Sequence, residues 1–317
     1  GWVEGDSIRC IYHGWLFDSA GQCMEQPAED KSFAAKIRIG NCPTREYLGL
    51  IFAYFGGGEA PPFPRYPHME EAGVLEVLST EIWPCNFFQR IDNNGDTYHV
   101  PFVHRGAYSA SSANNRAGLP EISKEESPWG TTAYASFAQG WRNVFQFFMP
   151  NVYAFRNPSP EPECGAEDRM QWDVPLDDER SLEFRLRRLP LTGEAAADYR
   201  ARRAAAAAAP QISVAQMGAA VLAGKLKYQD LDEFFQDKIA LVHTQDYVAQ
   251  VGQGPMADRA QEHLGCSDTG IILFRKIWER ELLALAEGRP LKKWRLPQDA
   301  DITFQQESVN LLHRAPG

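Results

Sequence analysis

Residues 56–67, Gly-Gly-Gly-Glu-Ala-Pro-Pro-Phe-Pro-Arg-Tyr-Pro, limit what this chain can build more than any other stretch. Glycine loses the most backbone freedom on ordering, and proline has no backbone donor, so neither suits an element interior. These residues are read as a linker or irregular crossover. The chain has 317 residues, and one domain usually holds about 100–200. It is therefore expected to divide into a small unit at residues 1–57 and a larger one at residues 70–317.

On either side of the break the apolar residues predict different structure. Before it, residues 8–12 and 49–55 read as strands, with Asp18-Ser19-Ala20-Gly21 as a turn between strands. After it, residues 131–137, 141–149, 152–155, 170–176 and 181–189 are strand-like, most clearly over Glu183-Phe184-Arg185-Leu186-Arg187. The turn signals between them predict an antiparallel sheet. Residues 194–209 are alanine-rich, stop at Pro210 and read as a solvated surface helix. Ile271, Phe274, Trp278, Leu282 and Leu285 recur at helical spacing, with Asp268 as the expected cap and Gly288-Arg289-Pro290 as the stop. That stripe is expected to face a core. The fold class is thus α+β, a small β domain followed by an antiparallel sheet with surrounding helices.

A net charge of −10 and a pI of about 5.3 argue against a general nucleic-acid binder. No apolar run approaches the ~18 residues that would suggest a membrane span. Cys10, Cys23, Cys42, Cys85, Cys164 and Cys266 are scattered, unlike the dense cysteines of disulfide-stapled domains. A reducing compartment, the cytoplasm, is expected.

Two stretches carry chemistry. Cys10-Ile11-Tyr12-His13 places a soft thiolate near an imidazole, a pair that suits zinc or an iron–sulfur cluster. Asn93-Asn94-Gly95-Asp96-Thr97-Tyr98-His99-Val100-Pro101-Phe102-Val103-His104 contains a carboxylate and two histidines. On a helix Asp96 and His99 share a face, so Asp96 can orient the imidazole from its non-metal side. His99 and His104 would stand ~140° apart on an ideal helix. They reach one metal only if the helix bends or ends, for which Pro101 supplies a reason.

Both stretches resemble the α subunits of Rieske-type non-haem iron oxygenases. Residues 8–18, Ile-Arg-Cys-Ile-Tyr-His-Gly-Trp-Leu-Phe-Asp, resemble the second half of the Rieske signature, and the likeness continues through Gly21, Cys23, Glu25-Gln26-Pro27 and Pro43. Residues 93–104 resemble the family's iron motif. The segment from Thr244 through Asp246 to Gly252-Gln253-Gly254-Pro255, Asp258-Arg259 and Glu262-His263-Leu264-Gly265 resembles the phthalate-type group, built of α subunits alone.

The resemblance implies that Cys10 and His13 are half the ligand set of a [2Fe–2S] cluster. It implies that His99, His104 and Asp246 hold a mononuclear Fe(II) in a helix-grip-like catalytic domain. Thr244 is expected to cap a helix, placing Asp246 in its first turn, where the dipole favours the ionised form. Asp258 and Arg259 are read as an ion pair, and His243 and His263 as uninvolved. His68 and His313 carry no signal. The family needs a Cys-x-His pair upstream, and residues 1–9 hold neither residue. Preceding sequence is therefore expected to be missing, and the chain alone is expected to bind the cluster poorly.

Asp96 is implied as the electron bridge between subunits of a homotrimer. The implied partner is an NAD(P)H-dependent reductase with flavin and ferredoxin centres. The implied activity is hydroxylation or O-demethylation of an aromatic substrate by O2. Arg90 and Arg105 flank the iron motif, without a clear claim to meet a substrate carboxylate. Phe145, Phe147, Phe148 and Tyr153 are read as sheet core, with an apolar pocket as the alternative. Two other classes remain: a stand-alone electron-transfer Rieske protein, and a zinc-stabilised, non-catalytic helix-grip protein that binds an apolar ligand.

Overall fold

The computed structural model describes residues 1–105, 107, 118–138, 142–159, 161–208, 212–235 and 238–299. Residues 141, 209, 210 and 313, which entered the expectations above, lie outside them. The chain forms two compact units, Gly1–Phe63 and Pro64–Gly317.

The first unit is all-β. Strands β1 (Trp2–Glu4), β2 (Ser7–Arg9), β3 (Leu16–Phe17) and β4 (Cys23–Glu25) form a sheet in that order. Strands β5 (Thr44–Tyr47) and β6 (Leu50–Ala53) pair separately. The expected turn is present: Asp18 Oδ1 accepts from the backbone N–H groups of Ala20 and Gln22 at 2.9 and 2.8 Å. Gly21 then takes φ +81°, and a Cβ there would lie 2.2 Å from the Ile39 carbonyl oxygen. Strand β2 stops at Arg9, short of the expected residue 12, because Cys10 leaves the ladder. Its carbonyl accepts from Gly14 N at 3.1 Å and its N–H donates to Trp15 O at 2.8 Å.

The second unit is built on a seven-stranded antiparallel sheet. Its strands are β7 (Val74–Trp83), β8 (Glu121–Ser127), β9 (Gly130–Ser136), β10 (Arg142–Phe148), β11 (Val152–Pro158), β12 (Ala166–Pro175) and β13 (Ser181–Leu189). The order is β7-β13-β12-β11-β10-β9-β8. Strands β8 to β13 form a meander, and β7 closes on β13. Consecutive strands β7 and β8 therefore stand at opposite edges, so the chain between them must cross the sheet. That crossing carries α2 (Phe87–Gly95) and α3 (Val100–Val103).

The other helices are α1 (Pro67–Glu70), α4 (Gly193–Ala207), α5 (Val214–Leu222), α6 (Leu231–Phe234), α7 (Lys238–Val251) and α8 (Thr269–Ala286). Helix α4 is mostly exposed, as expected, but buries Ala196 and Tyr199 against Val74 and Leu189. Helix α8 buries Ile271, Phe274, Ile277, Glu281 and Ala284, while Leu282 and Leu285 are exposed. The core face thus follows the expected stripe for its first turns and then runs one residue earlier. Glu281 claims the inward position because its carboxylate accepts from Lys292 N at 3.0 Å and pairs with Arg280 at 2.8 Å.

Candidate metal centre

Helix α2 starts on a side-chain cap, Asn86 Oδ1 accepting from Phe88 N at 2.9 Å, and ends at Gly95. Asp96 follows it in extended conformation, so Asp96 and His99 do not share a helix face as expected. Helix α3 begins at Val100 with Pro101 in its first turn, where a missing N–H costs nothing. His99 and His104 occupy its two ends. The chain stops α2 at Gly95, before His99, and places the single short helix α3 between the two histidines, which turns both imidazoles inward. Their ring centroids lie 5.3 Å apart.

Asp246 comes from α7, whose residues Leu241, His243 to Tyr247 and Gln250 are buried. It sits in mid-helix, not in the first turn. Thr244 is no cap: its hydroxyl donates back to Ala240 O at 2.9 Å. Donor atoms of His99, His104 and Asp246 all lie within 4.8 Å of one another. Asp246 Oδ1 stands 3.3 Å from His104 Nε2 and 3.7 Å from His99 Nε2. Donors about 2.1 Å from a shared divalent metal are spaced ~3.0–3.6 Å when cis, so the residues present fit one ion. Two histidines and one carboxylate on one side is the donor set that suits Fe(II) with open positions.

Each imidazole turns Nε2 to Asp246 and Nδ1 outward. His104 Nδ1 meets Gln245 Oε1 at 3.1 Å. His99 Nδ1 is buried without a hydrogen bond and faces Asp96 Oδ2 at 3.6 Å, an electrostatic contact. Asn93 Nδ2 donates to Asp246 Oδ1 at 3.2 Å. Burial opposes charge on Asp246, yet His104 and His99 hold its carboxyl well below the usual carboxylate range. Burial likewise opposes charge on His99, and Asp96 and Asp246 outweigh it, raising its pKa.

A buried charge network holds these elements in register. Arg90 of α2 donates to Asp173 at 3.0 Å and pairs with Glu183. Asn94 donates to Asp173 at 2.8 Å, and Glu183 lies 3.3 Å from His243 Nε2 on α7. Arg90 is therefore a structural cation, and Arg105 is exposed. His243 belongs to this network and not to the donor cluster. Asp258 and Arg259 do not pair as expected: Asp258 caps a short turn through Ala260 N, while Arg259 reaches Asp92 at 2.9 Å and Glu262 at 2.5 Å.

Beside this centre lies a small cleft. Gly95 and Thr97, which flank Asp96, line it, as do Phe145, Phe147, Tyr153 and Phe274. Three of the four aromatic residues expected as sheet core thus face the cleft, and two of these, Phe147 and Tyr153, are also buried core. Phe148 packs instead on Tyr66, ring centroids 5.4 Å apart. One cation, Lys124 of β8, also lines the cleft. Sequence reading passed it over within Glu-Ile-Ser-Lys-Glu-Glu-Ser; its register with Ile122, two residues earlier on the same strand face, was the available signal.

In the first unit, Cys10 and His13 stand on the exposed loop between β2 and β3. The backbone N–H groups of Tyr12 and His13 lower the Cys10 pKa, favouring the thiolate that binds metal. This loop fits one cysteine and one histidine of a cluster. No Cys-x-His occurs anywhere in residues 1–317, so half the donor set is present.

Known proteins agree with this arrangement. The Rieske [2Fe-2S] domain family matches residues 1–46. The chain is 28% identical to the 5,5'-dehydrodivanillate O-demethylase oxygenase subunit of Sphingobium sp., across 92% of this chain and 65% of that one. It is 28% identical to the tert-butanol monooxygenase / tert-amyl alcohol desaturase oxygenase subunit of Aquincola tertiaricarbonis, across 92% of this chain and 63% of that one. The chain thus spans slightly under two thirds of these relatives. Among solved structures, a Pseudomonas putida CBB5 NdmA mutant with theobromine matches with a TM-score of 0.63 at 18% identity, covering 91% of this chain and 75% of that one. That likeness speaks for the fold, and the sequence relatives speak for descent. No helix among the described residues is long and apolar enough to cross a membrane. The chain carries a match to the Rieske [2Fe-2S] domain over residues 1–46 and is similar to Rieske-type oxygenase subunits along about nine tenths of its length.

Proposed function

We propose that His99, His104 and Asp246 hold one Fe(II), and that the chain is the oxygenase component that hydroxylates or O-demethylates an aromatic substrate. Bound there, Fe(II) supplies the O2-activating chemistry through its open positions. The observation that carries this reading is the convergence within 4.8 Å of donor atoms from α7 and from both ends of α3.

The chain's own residues prepare the site. Asp246 is kept ionised by its histidine neighbours. Gln245 accepts from His104 Nδ1, which puts the ring's lone pair on Nε2, the nitrogen turned to Asp246. Gly95 and Thr97, on either side of Asp96, line a cleft with Phe145, Phe147, Tyr153 and Phe274. Asp96 keeps a partly exposed carboxylate 3.6 Å from His99. In a homotrimer it would link that histidine to the cluster histidine of a neighbouring subunit.

Cys10 and His13 would give one thiolate and one imidazole to a [2Fe–2S] cluster. Half a donor set defines no electron route within this chain. An NAD(P)H-dependent flavin and ferredoxin reductase is the proposed partner. The relatives' names span an aromatic ether and a tertiary alcohol, so aromaticity of the substrate rests on the first of these.

Anaerobic loading with Fe(II), desalting and metal analysis test the centre. Wild type should retain about one iron per chain that His99→Ala, His104→Ala and Asp246→Ala each lose. Retention of that iron in all three variants would refute the assignment.

A further inference from the structure

We propose that the Tyr228 hydroxyl is the tether that holds His104 beside Asp246 before any metal binds, which makes Tyr228 a positioning residue of the metal centre. The inference deepens the function proposed above and rests on His99, His104 and Asp246 being the metal donors.

Residues 96–104 carry both histidines, yet α3, the helix between them, buries none of its four residues. A helix leaves its last carbonyls without intrahelical partners, and so short a helix gains little from its own bonds. Side chains from distant parts of the chain supply partners at both ends of this segment. At its start, Lys124 Nζ of β8 donates to the Gly95 carbonyl, the last of α2, at 3.1 Å. At its end, the Tyr228 hydroxyl donates to the carbonyl of Val103, the last residue of α3 and the one before His104.

Tyr228 can hold that end because its own ring is held. It opens the short turn Tyr228–Asp230 ahead of α6 and packs against the cluster of Ala107, Leu231, Phe235 and Leu241. Leu241 belongs to α7, the helix that carries Asp246. The phenol therefore ties the backbone at His104 to the body that carries the carboxylate. The His104 imidazole is fixed separately, through Nδ1 and Gln245 at 3.1 Å. Burial, and then the charge of Asp246, raise the Tyr228 pKa, so the hydroxyl keeps the proton it donates.

The consequence is preorganisation. A metal meets an assembled donor set only in those metal-free molecules where His104 stands by Asp246. The apparent Kd rises as the inverse of that fraction. Tyr228→Phe removes one oxygen, keeps the ring in its cluster and takes this donor from the Val103 carbonyl. Loss of one such hydrogen bond lowers the competent fraction by up to about tenfold.

Two measurements on the whole chain test this. The first needs no metal. In protein whose histidines carry an isotopic nitrogen label, the His104 Nδ1–H resonance is identified by its loss in His104→Ala. In Tyr228→Phe this proton should exchange with solvent several-fold faster than in wild type, up to about tenfold. The second is anaerobic competition for Fe(II) against a coloured chelator, in which Tyr228→Phe should raise Kd by a similar factor and still bind one iron. Tyr199→Phe is the control. It removes a hydroxyl that donates to Glu76 at 2.7 Å and accepts from Arg187, and it should change neither readout. The proposal is overturned if Tyr228→Phe leaves either readout at its wild-type value, or if Tyr199→Phe moves both equally, which would show a general loss of stability. Wild type that retains no iron would sink the metal reading by itself, and proton exchange would still decide whether Tyr228 holds His104.

Discussion

Gln245 stands to His104 as Asp96 stands to His99, one outer partner for each imidazole, but the two partners differ in kind. The neutral Gln245 amide meets His104 Nδ1 at 3.1 Å and sets its tautomer. The ionised Asp96 lies 3.6 Å from His99 and adds charge. Outer partners of metal-bound histidines typically contribute about 10–100-fold in metal affinity. Gln245→Leu is therefore expected to weaken Fe(II) retention by roughly that factor. Competition against a coloured chelator would measure it, with far-ultraviolet circular dichroism unchanged. Asp96 and the two histidines were legible in the sequence because they lie within nine residues of one another. Gln245 was not: it lies 141 residues from His104, and only folding puts them in contact.

At the scale of elements, buried charges help to fix where α2 and α7 lie. Glu183 and Arg187, on the strand whose alternation was clearest, are fully buried alongside Leu186. The polar side of that strand is thus as hidden as the apolar side, because helices bring partner charges to it. Removing one member of such a set strands the others without partners, at a cost of about 3–5 kcal/mol. Arg90→Met, which leaves Asp173 and Glu183 facing each other, should lower unfolding free energy by about that much, read from urea denaturation.

The edge strand β8 is tied differently. Glu126 pairs with Arg280 of α8 at 2.9 Å and with Lys292 at 2.5 Å. The Arg280 hydrogen bond leads the causes that take its pKa down from 4.5 to about 2. A depressed acid stabilises fully above its unfolded value, so this contribution is lost as pH falls from 4.5 towards 2. Glu126→Gln should flatten the pH dependence of the urea midpoint in that window.

For the whole molecule, acid sensitivity should begin earlier, at His68. Burial lowers its pKa from 6.5 to about 4, and Asp168 opposes that shift. Below pH 6.5 the unfolded chain takes up this proton and the folded chain resists it. Stability is intact above 6.5 and falls as pH drops towards 4. His68→Gln should reduce this upper slope, to which the buried His243 also contributes, and leave the Glu126 slope in place, as read from urea midpoints at several pH values. His68 carried no signal in the sequence, since an isolated histidine says nothing of its surroundings. Strands β7 and β8 were missed for a related reason. Neither has a clear apolar alternation, and their charged residues meet partners far along the chain: Glu76 pairs with the buried Arg187 at 2.8 Å.

The amino-acid sequence by itself determined the Cys10–His13 loop, the need for a helix to bend or end if His99 and His104 are to meet, and an antiparallel sheet. Each rests on local spacing, turn chemistry or side-chain alternation, which operate over a few residues. Only the tertiary structure brought Gln245 to His104, and put Asp246, the carboxylate implied by the resemblance, beside both histidines. It also decided which of the many charged residues are buried in pairs, and that Lys124 lies beside the Phe274 ring. Burial and pairing are set by groups more than a hundred residues away, and their distance in space is not written in their distance along the chain.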